Sequence, residues 1–197
     1  MLCLLFASNN PGKVMEIRAL LGDLPIEIVT PEALGLDLEV QEAGNSYAEN
    51  AALKAVEYLR RTNLLSLADD SGLEVQALGG LPGIRSRRFS PKPGASDADR
   101  RKILLEHLQT SPRPWAARFC CVLALAGLNR QVEYTEGECR GEIIPVERGT
   151  HGFGYDPIFL FPELNRTMAE LALEEKNQVS HRARAMKKMV PILEKYL

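Results

Sequence analysis

Little in this 197-residue chain is extreme, and each thing it lacks removes a class of function. Its four cysteines, Cys3, Cys120, Cys121 and Cys139, form no C-x-x-C pair, so nothing suggests a disulfide framework or an ordinary zinc motif. Neighbours such as Cys120 and Cys121 point to opposite faces of a strand, which favours buried thiols in a reducing cytoplasm over zinc. Positive charge is not in excess. The 24 Lys and Arg face 26 Asp and Glu, a formal charge of -2, whereas a protein that grips long nucleic acid carries a basic surplus. No apolar run approaches the roughly 18 to 20 residues of a transmembrane helix. The apolar start, Leu2 to Ala7, has no basic lead-in and is interrupted by Ser8-Asn9-Asn10-Pro11, so it reads as a buried first strand rather than a signal segment. Repeats, low-complexity segments and linkers are absent as well. With 45% of residues apolar and 25% charged, the expectation is one globular domain over residues 1–197.

What is present alternates between strand and helix signals. After the first strand, Asn10 is a good N-cap, Pro11 suits the first helical position, and Gly22 closes a helix that ends near Leu21. Ile26 to Val29 reads as a second strand. Ser46 and Glu49 form a capping box that opens a helix to about Thr62. Leu64 to Ala68 is a short apolar strand that the pattern ends at a turn, Asp69-Asp70-Ser71-Gly72, with Leu73 to Val75 beyond it. Ser96, with Asp99 as partner, begins a helix that finishes near Leu108. Ala116 to Ala126 is strand-like and would pair with Gln131 to Ile144 through a turn at Gly127-Leu128-Asn129-Arg130. Ser180 starts a last helix. The whole reads as an α/β domain with a partly antiparallel sheet.

Five segments carry chemistry. Ser8 to Lys13 is a polar loop entering a helix, where backbone N–H groups favour phosphate and Lys13 adds a point charge that the helix dipole itself disfavours. It is not a Walker loop, since Ala7 and Val14 replace the required Gly and Ser or Thr. Asp69 and Asp70 repel one another unless a cation or donors compensate, and a strand end is where α/β proteins place ligands. Magnesium at phosphate sites uses one or two carboxylates, which this pair could supply, although an Asp-rich turn is the plainer reading. In the acidic stretch before Ser46, Glu42 and, less so, Glu39 are further metal-facing candidates. Gly152-Phe153-Gly154-Tyr155-Asp156-Pro157 lets backbone approach a ligand and can leave the Phe153 ring facing a planar base, with Asp156 near a ring N–H or ribose hydroxyl. Finally come Lys176 and then Ser180-His181-Arg182, where Ser180 is a good N-cap but His181 and Arg182 occupy a first turn that disfavours cations unless something electronegative is near.

Together these segments resemble the inosine triphosphate pyrophosphatase family. Its opening S/T-x-N-x-x-K is met by Ser8, Asn10 and Lys13, with Asn9 and Pro11 in variable positions. E-N-A is met by Glu49 to Ala51, A-D-D-S-G-L by Ala68 to Leu73, and L-G-G-x-P-G-x-x-S by Leu78 to Ser86. A-R-F-x-C-V-L matches Ala117 to Leu123, F-G-Y-D-P matches Phe153 to Pro157, and the K…S-H-R ending matches Lys176 and Ser180 to Arg182. Each motif is weak alone, but seven in order are specific. A related family, the Maf-like pyrophosphatases, lacks the combination of D-D-S-G with F-G-Y-D-P.

The resemblance implies an α/β fold with a long curved mixed sheet flanked by helices, two lobes around a central cleft, and a homodimer. It implies Mg-dependent conversion of dITP, ITP or XTP to the monophosphate and pyrophosphate, with no membrane or long nucleic acid as partner. Carried over by position, Asp70 is the general base and a magnesium ligand, and Glu42 assists the metal. The loop of Ser8, Asn9, Asn10, Pro11, Gly12 and Lys13, together with Ser71 and Lys176, holds the triphosphate. Phe153, flanked by Gly154 and Tyr155, stacks on the base, while Asp156, His181 and Arg182 read its edge.

Overall fold

The structure, a computed structural model, describes residues 1–38, 40–127 and 131–197. In chain order its elements are β1 (Leu2–Phe6), α1 (Pro11–Leu21), β2 (Ile26–Val29), α2 (Tyr47–Thr62), β3 (Leu65–Val75) and α3 (Asp97–Leu108). Then come β4 (Trp115–Ala126), β5 (Val132–Ile143), β6 (Phe159–Phe161), β7 (Arg166–Thr167), α4 (Leu173–Val179) and α5 (His181–Leu193). The strands form one mixed sheet in the order β2-β1-β3-β4-β5-β6-β7, and the sheet does not close. β1 pairs in parallel with β2 and β3, whereas β6 runs antiparallel to both β5 and β7. This is the α/β class expected of the sequence.

Packing divides the chain into two compact units. The first comprises Met1–Asp70, Cys121–Gly137 and His181–Leu197; the second comprises Ser71–Cys120 and Glu138–Ser180. In the first unit both faces of the sheet are covered, which is why its strands read as continuous apolar runs. Successive strand residues face opposite sides. Leu4, Phe6, Leu65, Leu67, Cys121 and Leu123 meet Val14 and Ile17 of α1 and Met186 and Met189 of α5. Leu5, Ala68, Val122 and Ala124 face the other way, onto Ala51, Ala55 and Tyr58 of α2. The start of α5 lies directly on strand backbone at Gly137, where a Cβ would fall 2.2 Å from the His181 carbonyl oxygen and 2.4 Å from the Ala185 nitrogen.

The second unit is built around Leu73, Val75, Trp115, Phe119, Phe159 and Phe161, with Leu104 and Leu108 of α3 packed among them. On its polar side Arg118 bonds Glu74 and Glu138, and Arg140 bonds Glu138. The portion of β4 in this unit therefore alternates buried and open positions, and the pattern becomes fully buried from Cys121 onward.

Several local expectations hold as stated. Asn10 caps α1 by accepting from the Lys13 N–H, and Ser96 and Asp99 form a reciprocal capping box. At α2 the box is shifted: Ser46 accepts from the Glu49 N–H, but the Glu49 carboxylate accepts from the Asn45 N–H, at 2.6 Å. The expected turn at Asp69 to Gly72 is instead uninterrupted strand. Its aspartates bond cations distant in sequence, Asp69 to Lys13 and Asp70 to Lys54. α4 has seven residues, too few for apolar periodicity to announce it. The expected turn over Leu128 to Arg130 and the candidate Glu39 lie outside the described residues. All four cysteines are free thiols, with Cys121 and Cys139 buried.

Candidate active site

The site begins where β1 releases the chain into α1. Ser8 Oγ accepts from the Asn10 N–H at 3.2 Å and Asn10 Oδ1 accepts from the Lys13 N–H at 3.1 Å, so the loop folds onto its own polar side chains. Asn9 Oδ1 takes the Glu32 N–H at 3.3 Å. Lys13, one turn into α1, sends its ammonium to Asp69 on β3. Pro11 is exposed and Gly12 half-buried at the helix start.

Asp69 and Asp70 are neighbours on a strand and so face opposite sides. Asp69 lies on the side of α1 and α5. Besides Lys13 it accepts from Arg182 Nε at 2.8 Å and from the Cys121 thiol at 3.3 Å. Arg182 in turn pairs through Nη1 with Glu16 of α1. Arg182 is only 1% exposed, and Glu16 and Asp69 are each 2% exposed. Burial alone would push the Asp69 carboxyl upward, but the Arg182 and Lys13 charges overcome it and hold the group well below the usual carboxylate range. The Cys121 thiol is pushed well up by burial and by Asp69, so it stays protonated.

Asp70 faces α2. Lys54 Nζ lies 3.1 Å from Asp70 Oδ1, 2.8 Å from Glu42 Oε1 and 2.7 Å from the Asp69 carbonyl oxygen. Asn50 Nδ2 donates to Asp70 Oδ2 at 3.5 Å. Burial lifts the Asp70 carboxyl above the usual range; Lys54 pulls against this and Glu42 adds to it. Burial would lower the Lys54 ammonium, but Asp70 and Glu42 together raise it. Two carboxylates already converge on one cation, and Glu42 remains partly open. An oxygen-only pair of that kind suits a hard divalent ion that keeps water or phosphate oxygens as its other ligands. No group of three or more His, Cys, Asp or Glu side chains among the described residues forms a closed metal cage.

In the second unit the Gly152–Tyr155 loop is held from within. Asp156 is buried and accepts the Phe153 N–H at 2.9 Å and the Lys176 ammonium at 2.6 Å. Lys176, 3% exposed, sits 5.0 Å from the centre of the Phe153 ring, in cation–π range. Gly152 has φ +74°, and a Cβ there would lie 2.1 Å from Asp156 Oδ2. Tyr155 is buried, donates to the Ser86 carbonyl oxygen at 2.9 Å, and has its phenol pushed upward by burial.

The structure thus gathers Ser8 to Lys13, Glu42, Asp70, His181 and Arg182 in the first unit, and Ser71, Phe153 to Asp156 and Lys176 in the second. Two side chains expected to read a base edge are otherwise engaged. Arg182 serves Glu16 and Asp69, and Asp156 serves the Phe153 peptide and Lys176. His181, the first residue of α5, is buried. Two contributors escaped sequence reasoning as site residues, Lys54 and Glu16, while Asp69, a candidate metal carboxylate in the sequence, is engaged by Lys13 and Arg182. A signal existed for Lys54, which follows Asn50 by one helical turn on the alanine-lined side of α2.

Comparison with known proteins follows the same residues. The profile of the Ham1 family matches residues 4–192. A dITP/XTP pyrophosphatase of Desulforamulus reducens is 44% identical over 192 residues, covering 96% of this chain and 94% of that protein. One from Gloeobacter violaceus is 46% identical over 187 residues, covering 95% and 92%. Among solved structures, a HAM1 protein from Coxiella burnetii superposes with a TM-score of 0.88 at 39% identity, covering 99% of this chain and all of that one.

Proposed function

The chain belongs to the Ham1 family, and we infer from that membership that it hydrolyses nonstandard purine nucleoside triphosphates (dITP, ITP, XTP) to the monophosphate and pyrophosphate. The observation that carries the reading is the convergence of Asp70 and Glu42 on one half-buried cation, Lys54.

Attack of water at an α-phosphorus asks little covalent chemistry of a protein; it asks for position and for charge to be met. Asp70, facing α2 beside Lys54 and Asn50, orients and deprotonates the water. Asp70 and Glu42 would hold magnesium, which would supply neutralisation of charge on the phosphate oxygens. The α1 N-terminus with Ser8, Asn9, Asn10, Pro11 and Gly12, together with Lys13, Ser71 and Lys176, binds the triphosphate. Phe153 stacks on the base, between the backbone of Gly154 and Tyr155 and the charge of Lys176. Hypoxanthine and xanthine present a 6-carbonyl acceptor where adenine presents a donor, so a donor there selects for them. We retain His181 for that contact. Arg182 and Asp156, with their carboxylate and lysine partners, become positioning residues. Exclusion of guanine, which also has a 6-carbonyl, must involve its 2-amino group.

The test is a substrate panel of ITP, dITP, XTP, ATP, GTP and dUTP with and without magnesium, repeated for Asp70→Asn. The variant should fold and lose about 10²- to 10⁴-fold in pyrophosphate release from ITP. Parent-like turnover in Asp70→Asn would remove Asp70 as the base. We also propose a cytoplasmic homodimer, which sedimentation equilibrium of the purified chain checks for subunit number. No helix among the described residues is long and apolar enough to cross a membrane.

A further inference from the structure

The Phe153 loop has a second support that its own motif does not contain. The N–H of Gly154 donates to Asp97 Oδ2 at 2.8 Å, and the carbonyl oxygen of Gly154 accepts from Arg101 Nη1 at 2.7 Å. Both partners are on α3, one helical turn apart, a spacing that sets them on the same face. They hold the N–H and the C=O of a single residue. With both groups of Gly154 fixed, the orientation of the peptide joining it to Phe153 is fixed as well.

Neither holder is loose. Arg101 uses Nε and Nη2 on the Glu147 carboxylate at 2.8 and 2.9 Å, a two-pronged bond that leaves Nη1 directed at Gly154. Asp97 pairs with Arg100, which is itself tied to the Ala95 carbonyl oxygen at 2.7 Å. Burial pushes the Asp97 carboxyl up, but the bonds from Arg100 and from the Gly154 N–H outweigh it, so Asp97 stays an anion and an acceptor. Below them α3 is fixed by Leu104 and Leu108, both fully buried. Helix stability does not require this arrangement. Ser96 and Asp99 already cap the helix, and Asp97 suits the dipole in the first turn whether or not it meets Gly154.

We infer that Asp97 and Arg101 are positioning residues for base recognition: they lock Gly154 and thereby set the plane in which Phe153 meets the purine. The inference rests on the reading of Phe153 as the base-stacking residue. It goes beyond that reading by placing part of the recognition apparatus on α3, outside the F-G-Y-D-P segment.

The experiment is steady-state hydrolysis of ITP in a double-mutant cycle, with thermal midpoints recorded to show that each variant is folded. Arg101→Met keeps the aliphatic stem and removes the fork. It should raise KM about tenfold, the value of one charge-assisted hydrogen bond, and change kcat less than about threefold. Arg101→Lys keeps a donor and should stay within about threefold of the parent in KM. Asp97→Ala should behave as Arg101→Met, and Asp97→Asn, which keeps an acceptor oxygen, should restore most of the loss. In a Phe153→Ala background, Arg101→Met should add less than about twofold, because the ring it positions is gone. If Phe153→Ala raises KM while Arg101→Met and Asp97→Ala do not, or if their effects multiply fully with that of Phe153→Ala, the positioning role is overturned and the stacking role survives. A Phe153→Ala variant with parent-like KM would overturn both.

Discussion

Replacing Arg182 by Met tests the most deeply buried charge in the first unit. The guanidinium is 1% exposed and serves two carboxylates, Glu16 and Asp69, each 2% exposed. Met preserves most of the apolar stem, so the main change is electrostatic. Breaking a buried pair from one side costs about 3–5 kcal/mol, since the remaining carboxylate keeps its desolvation without its partner. Asp69 retains Lys13, which places the expected loss near the lower end, about 3 kcal/mol at pH 7.

The pH dependence separates this account from lost packing. In the parent, Arg182 and Lys13 hold the Asp69 carboxyl well below its usual range despite burial. A depressed group contributes stability above its unfolded pKa, about 3.9 for Asp, and loses it as pH falls below that toward the folded value. Asp69 therefore adds no slope between pH 7 and 5. In Arg182→Met a buried carboxyl escapes its penalty by taking up a proton, so its folded pKa is raised. Such a group destabilises most at high pH, and the penalty shrinks by up to about 1.4 kcal/mol per unit as pH falls toward its unfolded value. Urea unfolding followed by far-UV circular dichroism at pH 7 and pH 5, with unchanged m-values, should show the deficit falling from about 3 to about 1–2 kcal/mol. Adding Glu16→Leu should recover part of the loss, as apolar replacement of buried ion groups does. A deficit under about 1 kcal/mol at pH 7, or one that is the same at both pH values, would refute the electrostatic role assigned to Arg182.

Two further outcomes follow from the two clusters. Gly152→Ala places a Cβ 2.1 Å from Asp156 Oδ2, so the bond to the Phe153 N–H should break and kcat/KM for ITP should fall at least about tenfold. Gly94→Ala, with φ +66°, nothing within 4 Å and a place outside the Phe153 loop, is the control and should show only the backbone penalty of about 1–2 kcal/mol in stability. If both variants lose activity equally, the steric account of Gly152 is wrong. Lys54→Met removes the ammonium shared by Glu42 and Asp70 and should tighten Mn²⁺ binding to the nucleotide-free protein, read by electron paramagnetic resonance. It should also lower the thermal midpoint in chelator and make that midpoint more responsive to magnesium, because a metal then relieves a repulsion that Lys54 had relieved. Unchanged Mn²⁺ affinity would argue against Glu42 and Asp70 as its ligands.

The elements whose physics is local were legible. Asn10 with Pro11, and Ser96 with Asp99, cap their helices because the interacting groups lie within one turn. The shift in β4 from alternation to a continuous apolar run at Cys121 also coincides with the boundary between the two units, since it reports whether one face or both are covered. What was not legible depends on partners remote in sequence. Arg182 and Asp69 are 113 residues apart, and Lys13 and Asp69 are 56 apart. From the sequence alone, Arg182 at a helix start pointed to something electronegative; that this is a pair of protein carboxylates is settled by tertiary packing. Lys54 was passed over because a lysine on an amphipathic helix ordinarily faces solvent.

The paired aspartates show how strand parity turns an apparent conflict into a division of labour. Read along the chain, two adjacent carboxylates suggest repulsion and a bend. On a strand they are separated by the sheet itself. Leu65, Leu67 and Asp69 share one side with α1 and α5, and Ala68 and Asp70 share the other with α2. Each carboxylate then meets its own cations, Lys13 and Arg182 for Asp69 and Lys54 for Asp70, and their basicities move in opposite directions. Asp69 is fixed as a permanent anion that organises the helix start bearing Lys13. Asp70 is left more basic than an ordinary carboxylate and within reach of a second carboxylate. A one-residue slip in the register of β3 would exchange these surroundings, giving the buried guanidinium to the group proposed as base and the shared ammonium to the anchor. Leu65 and Leu67 fill the space beside α1 and α5 while the small Ala68 meets Ala51 and Ala55 of α2, so side-chain volume resists that slip, and the packing that builds the core also fixes the surroundings of the aspartate proposed as base.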